Sequence, residues 1–229
     1  MVPQAVRAAV LIRLAAVVAF ASTSVCADPQ QSLQAVLADA DFVAIDSLHG
    51  VTVSLRYASS DNFLNRDLYG AFNRAFLHRI AADKLRQAGA DLAREKPGWK
   101  IVVYDALRPR AVQRVLWDAV KGTALQPYVA NPQNGSIHNF GLAVDASLLD
   151  DAGREIDMGT AFDAFGPLAQ PALEDRFLKE GKLTQAQLQN RRFLRRIMTG
   201  AGFIQLPLEW WHFDALPQSE VRRQFKIVE

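Results

Sequence analysis

The 229-residue chain has a single cysteine, Cys26. One cysteine excludes an intrachain disulfide framework and any structural zinc site built from cysteines. A strong excess of one charge is also missing. The 26 basic and 24 acidic residues leave a net charge of +2, which makes no electrostatic case for a nucleic-acid partner. Internal repeats, low-complexity tracts and Pro/Gly/Ser-rich linkers are absent, so a single domain is expected. No H-E-x-x-H occurs, which excludes the helix-borne metalloprotease site. Beyond the N-terminal region, no stretch is long and apolar enough to span a bilayer.

What is present begins with a leader. Residues 1–27 carry Arg7 and Arg13 and no acid, then an apolar run from Leu14 to Ala21, then Ser22-Thr23-Ser24 and Val25-Cys26-Ala27. This three-part pattern predicts a secretory signal peptide cleaved after Ala27, and an exported protein of the periplasm or cell envelope with no lasting membrane association. The domain proper then covers 28–229. Removing the two leader arginines from the 26 basic residues leaves 24 against 24 acidic, so the mature chain is charge-balanced and free of thiols. Cys26 as a lipid-attachment cysteine is the alternative, although the Val25 before it stands where a small residue is wanted.

Hydrophobic spacing predicts a short helix within 32–46 leading into Phe42–Ile45, and a strand over Val51–Tyr57. It predicts a helix from Asn73 to Arg94, a strand over Lys100–Tyr104 and a helix over Arg110–Val120. Leu142–Leu149 reads as a strand followed by a turn at Asp150–Gly153, and Thr184–Met198 as a helix opened by a capping box. Extended segments follow at Phe203–Leu206 and Glu209–Asp214. This order indicates an α+β fold, a single domain with helices packed on a small, mostly antiparallel sheet. The run Arg191-Arg192…Arg195-Arg196 reads as a solvated helix flank.

Of the four histidines, His49 and His78 read as surface residues. His138 and His212 sit in different company. His138 stands before Gly141 at a loop-to-strand junction, and Asp145 lies within the apolar strand that follows. A carboxylate there needs a partner, either a cation or an arginine. The two residues are seven apart, so a shared target requires the bend that Gly141 permits. Glu209 and His212 flank two tryptophans and are three apart, so a turn or bulge is needed to bring them together. The other reading of that segment is an aromatic core strand with an edge glutamate. Taken together, His138, Asp145 and His212 offer three ligands with an open fourth position, the layout of a catalytic zinc site, and Glu209 offers a base. Arg108, held extended by Pro109 between a strand and a helix, is placed to stabilise an oxyanion; an ordinary salt bridge is its alternative role.

These segments resemble the D-alanyl-D-alanine dipeptidases of the wider zinc D,D-peptidase family. That family pairs S-x-H-x6-D with a later E-x-x-H, which here read Ser136-Ile137-His138…Asp145 and Glu209-Trp210-Trp211-His212. The doubled tryptophan looks like the dipeptidase branch. Arg56-Tyr57-Ala58, Tyr104-Asp105…Arg108-Pro109 and Asp157-Met158-Gly159-Thr160…Phe162-Asp163 match in order, and the similarity spans roughly residues 42–215. The stretch 61–72 departs from the pattern, which leaves Tyr69 outside the carried-over pocket. The resemblance implies a Hedgehog/D,D-peptidase-like fold and one Zn2+ on His138, Asp145 and His212. It also implies Glu209 as base, Arg108 as transition-state stabiliser, and a small closed cavity contacted by Tyr57, Ser136 and Asp163. The implied reaction is hydrolysis of D-Ala-D-Ala to free D-alanine. The alternatives are a D,D-carboxypeptidase or endopeptidase on peptidoglycan stems and, in a different class, a peptidoglycan-binding module without catalysis.

Overall fold

The computed structural model describes residues 29–229. The leader and its Cys26 lie outside the described residues. Among these residues the order is α1 (Pro29–Ala38), β1 (Phe42–Ala44), β2 (Val51–Val53), β3 (Phe76–His78), α2 (Arg79–Glu95), β4 (Lys100–Asp105) and α3 (Arg110–Val120). Then come β5 (Ala143–Leu149), α4 (Glu174–Lys179), α5 (Gln185–Gly200), β6 (Ile204–Gln205), β7 (His212–Asp214) and α6 (Gln218–Gln224). The main sheet runs β2-β4-β5-β7-β6; only β2-β4 is a parallel pair, and β1 and β3 form a separate antiparallel ribbon. The α+β expectation holds. No helix of the described residues is long and apolar enough to cross a membrane.

Strand β5 divides the molecule by its two-residue period. Val144, Ala146 and Leu148 join Leu85 of α2 and Leu194 and Met198 of α5 in the main core. Asp145 and Ser147 alternate with them onto the opposite face. On that side a second cluster, built around Leu107, Val112 and Leu116, gathers α1 and α3. Pairing of β4 with β5 slips once: Val103 faces Ala146, yet Asp105 faces Asp145, so Tyr104 is an extra residue. This bulge turns Asp105 onto the face that carries Asp145.

Several elements end where the sequence indicates. Helix α3 has the expected bounds, and α5 opens on Thr184, whose hydroxyl accepts from Gln187 N while the Gln187 side chain accepts from Thr184 N. The helix expected from Asn73 starts later, because Phe76–His78 pairs with Phe42–Ala44 as β3. The apolar Phe76 and Leu77 fit both periods, and the pairing with β1 decides between them. His78 is therefore not on a polar helix face. It is buried at the start of α2, its Nδ1 accepts from Ile80 N at 3.3 Å, and its ring packs against Phe42 and Phe225. His49 is exposed, as expected. The basic run on α5 is also corrected. Arg192 and Arg196 are exposed with ion pairs, but Arg191 is buried and donates to the carbonyls of Met158 (2.6 Å) and Leu168 (2.9 Å).

Gly141 makes the bend before β5. It caps the 3-10 turn of residues 137–140 at φ +65°, and its carbonyl accepts from His78 N at 2.9 Å. A Cβ there would lie 2.7 Å from the Phe42 ring and 2.9 Å from His78 N. Gly141→Ala is expected to destabilise the fold by about 1–3 kcal/mol, from left-handed strain plus the clash, as read by the urea midpoint. An unchanged midpoint would show that the bend is not strained by a side chain.

Candidate active site and metal cluster

The bend at Gly141 brings His138 back over Asp145, and the pairing of β5 with β7 places His212 directly opposite Asp145. His138 Nε2 lies 3.1 Å from His212 Nδ1 and 3.3 Å from Asp145 Oδ1, and His212 Nδ1 lies 3.0 Å from the same oxygen. All three residues are buried and form a group able to hold a metal ion. The far nitrogens are already committed. His138 Nδ1 donates to Ala106 O at 2.7 Å, and His212 Nε2 donates to Asp214 Oδ1 at 2.8 Å. A neutral ring fixed this way turns its bare lone pair inward. Two lone pairs and a carboxylate then face one another at the spacing of a tetrahedral zinc ligand set, whose edges are about 3.3 Å for bonds of 2.0–2.1 Å.

The electrostatics express the same demand for positive charge. Burial alone would lower the His212 pKa, but Asp214 and Asp145 raise it well above the ordinary value. Burial would raise Asp145, yet the charges and hydrogen bonds of His138 and His212 hold it well below the carboxylate range. A proton on His212 and a metal ion are alternative ways to supply that charge, so metal binding must displace the proton.

Arg108 approaches the cluster from the end of β4. Its Nε and Nη2 donate to Asp105 Oδ2 at 2.8 and 2.5 Å, Nη1 donates to Gln113 Oε1 at 2.8 Å, and Nη2 stays 3.7 Å from Asp145 Oδ2. Its backbone is tied to the metal-side turn: Arg108 N donates to His138 O at 3.0 Å, and Asn139 Nδ2 donates to Arg108 O at 2.7 Å. Tyr69 is not a pocket residue; its hydroxyl donates to Asp105 Oδ1 beneath the arginine.

Glu209 lies in the loop joining β6 to β7, where a turn at 207–208 and bends at Trp210 and Trp211 replace regular strand. The required departure from an ideal strand is therefore present. Trp210 Nε1 donates to Thr160 Oγ1 at 2.7 Å, and Trp211 packs on Phe162 and Phe165. Burial pushes the Glu209 carboxyl up to about 8, with His212 and Arg108 opposing it.

A cavity of about 190 Å³ joins these groups, small beside the roughly 300–1,000 Å³ of ordinary ligand pockets. Tyr57, Ser136 and Asp163 all line it together with Arg108, Glu209 and the cluster. Tyr57 donates to Asp163 Oδ1 at 3.2 Å and stacks under the Arg108 guanidinium at 4.9 Å. Asp163 holds a left-handed φ of 60°, and its Oδ2 is buried with no hydrogen-bond partner. Burial and the charge of Asp145 raise its pKa well above the usual range. The Ser136 hydroxyl is spent locally, accepting from His138 N at 3.4 Å.

The family model for peptidase M15, the D-ala-D-ala dipeptidases, matches residues 38–229. The chain belongs to this family. A D-alanyl-D-alanine dipeptidase of Escherichia coli is 34% identical over 174 residues, covering 73% of this chain and 79% of that protein. One from Synechocystis is 33% identical, covering 57% of this chain and 65% of its own length; one from Enterococcus faecalis is 30% identical, covering 77% and 92%. The dipeptidase-like motifs read from the sequence are thus matched by family membership.

Asp105, Gln113 and Asp214 escaped the sequence reading as supporting residues. Asp214 carries a signal in hindsight: it lies two residues from His212 on the same face of β7. Asp214→Ala removes the acceptor that fixes the His212 ring. It is expected to weaken the affinity of the cluster for a divalent metal ion, read with added zinc, about 10–100-fold in a competitive chelator titration. Wild-type affinity in this variant would show that the ring is oriented by something else.

Proposed function

We propose that the chain hydrolyses free D-Ala-D-Ala to two molecules of D-alanine. The observation that carries this reading is the convergence of His138, Asp145, His212 and Glu209 on one small cavity in a member of the dipeptidase family. His138, Asp145 and His212 would hold a zinc ion, which supplies a Lewis acid for the amide carbonyl and an acidified water.

The chain's own residues do the rest. Glu209 takes a proton from the attacking water as the C–O bond forms. It then passes that proton to the leaving nitrogen as the C–N bond breaks. Burial keeps this carboxylate poorly solvated, which strengthens it as a base once positive charge nearby keeps it ionised. Arg108, locked by Asp105 and Gln113, presents a fixed guanidinium to the developing oxyanion without reorganising. Asp163, with one unpartnered oxygen in the cavity, takes the substrate ammonium, supported by Tyr57. Trp211, with Phe162 and Phe165, walls the site from bulk water.

A D,D-carboxypeptidase or endopeptidase would share this metal set and differ in cleft size, and the small cavity favours the dipeptide. A binding module has no use for a buried base beside a metal. The test is a comparison of free D-Ala-D-Ala with an N-acylated tripeptide ending in D-Ala-D-Ala. The free dipeptide is expected to have the higher kcat/KM, and preference for the blocked tripeptide would overturn the reading. Glu209→Gln is expected to retain zinc while kcat falls by about 10²–10⁴. Near-normal turnover would place the base elsewhere.

A further inference from the structure

Two cationic side chains other than histidine line the cavity, Arg108 and Arg222. Arg108 has its Nε, Nη1 and Nη2 engaged by Asp105 and Gln113. Arg222 is different. Its Nη1 donates to the carbonyls of Asn134 and Gly135 (the latter at 2.8 Å), while Nε and Nη2 have no partner among the described residues. The side chain is exposed, so it sits at the cavity's mouth with its charge uncommitted.

Its placement is fixed from both sides of the metal cluster. Gln218, one helical turn earlier on α6, lines the same cavity and donates from Nε2 to Asp214 Oδ2 at 2.9 Å. Asp214 is the residue that orients His212. Residues four apart share a helix face, so docking Gln218 on Asp214 turns Arg222 toward the cavity. The other anchor, Asn134-Gly135, immediately precedes Ser136 and leads to His138. Helix α6 thus bridges the two strands of chain that carry the histidine ligands, and it delivers a cation to the opening between them.

We infer that Arg222 binds the free C-terminal carboxylate of the substrate and so selects dipeptides that end within the cavity; this rests on the dipeptidase reading above. Apart from the histidines of the cluster and the tyrosines, the remaining titratable groups that line the site are acids, Asp145, Asp163 and Glu209, none of which offers a positive charge to a carboxylate. A zwitterionic dipeptide needs an anion for its ammonium and a cation for its carboxylate. Asp163 supplies the first once the ammonium beside its unpartnered oxygen favours the ionised form, and Arg222 has the unspent donors for the second. A chain continuing as an amide offers no such charge, so the same residue discriminates against internal peptide bonds.

The experiment compares kcat and KM on D-Ala-D-Ala and on its C-terminal amide, for the wild type, Arg222→Gln and Arg222→Lys. The wild type is expected to prefer the acid. In R222Q the acid-to-amide ratio of kcat/KM should fall roughly tenfold or more, mainly through KM on the acid, and R222K should fall between. A merely structural role, holding the 134–135 segment, would depress acid and amide equally; that result, or an unchanged ratio, would overturn the inference. A wild type that cleaves neither substrate would instead remove the dipeptidase reading, and the inference with it.

Discussion

The architecture turns on one buried carboxylate. Asp145 sits in the middle of the sheet, where an isolated negative charge is very costly, and the surroundings are organised to offset it. His212 faces it across the strand pair, His138 is brought over it by the Gly141 bend, and Arg108 stands within 3.7 Å. Each of these needs its own support. Asp214 holds one imidazole, the Ala106 carbonyl the other, and Asp105 with Gln113 holds the guanidinium. The result is a polar layer on one face of β5, whose other face is wholly apolar. The chemistry and the core are two sides of the same strand.

That layer also ties the site together without disulfides. Arg108 and His138 are tied together through backbone and side-chain hydrogen bonds that involve residues 138 and 139, so the guanidinium and the imidazole of the candidate metal cluster are held by one connected piece of chain. The chain's last residues reinforce this. Val228 N donates to Asn139 O at 2.8 Å, and Val228 O accepts from Arg110 N at 2.9 Å, which joins the turn after His138 to the helix after Arg108. The irregular chain around the site is thus held by neutral backbone and amide hydrogen bonds, and the side chains it carries by the carboxylates of Asp105 and Asp214.

Much of the site was legible in the sequence because its residues violate their local context. Asp145 in an apolar strand, Glu209 and His212 around two tryptophans, and Arg108 before a proline all stand out against simple patterning. Helices α3 and α5 were legible from periodicity and capping. Residues whose role depends on another element were not. Phe76 and Leu77 fit a helix until β1 is present to pair with them. Arg191 looked like one of four solvated basic residues, although it shares a helix face with the buried Leu188, Leu194 and Met198. Asp105 closes an apolar strand much as Asp145 interrupts one, but its orientation depends on a sheet irregularity that no spacing rule reveals.

That irregularity at Tyr104 is a matter of counting. Without the extra residue, strict alternation would send Asp105 to the apolar side of β4, and Arg108 would lose its carboxylate partner. The position of the Arg108 guanidinium is thus encoded as a difference of one residue between two neighbouring strands. A homologous strand grafted into this sheet would have to preserve that odd count as well as its side chains. The same parity means that length, and not composition alone, is under constraint along β4.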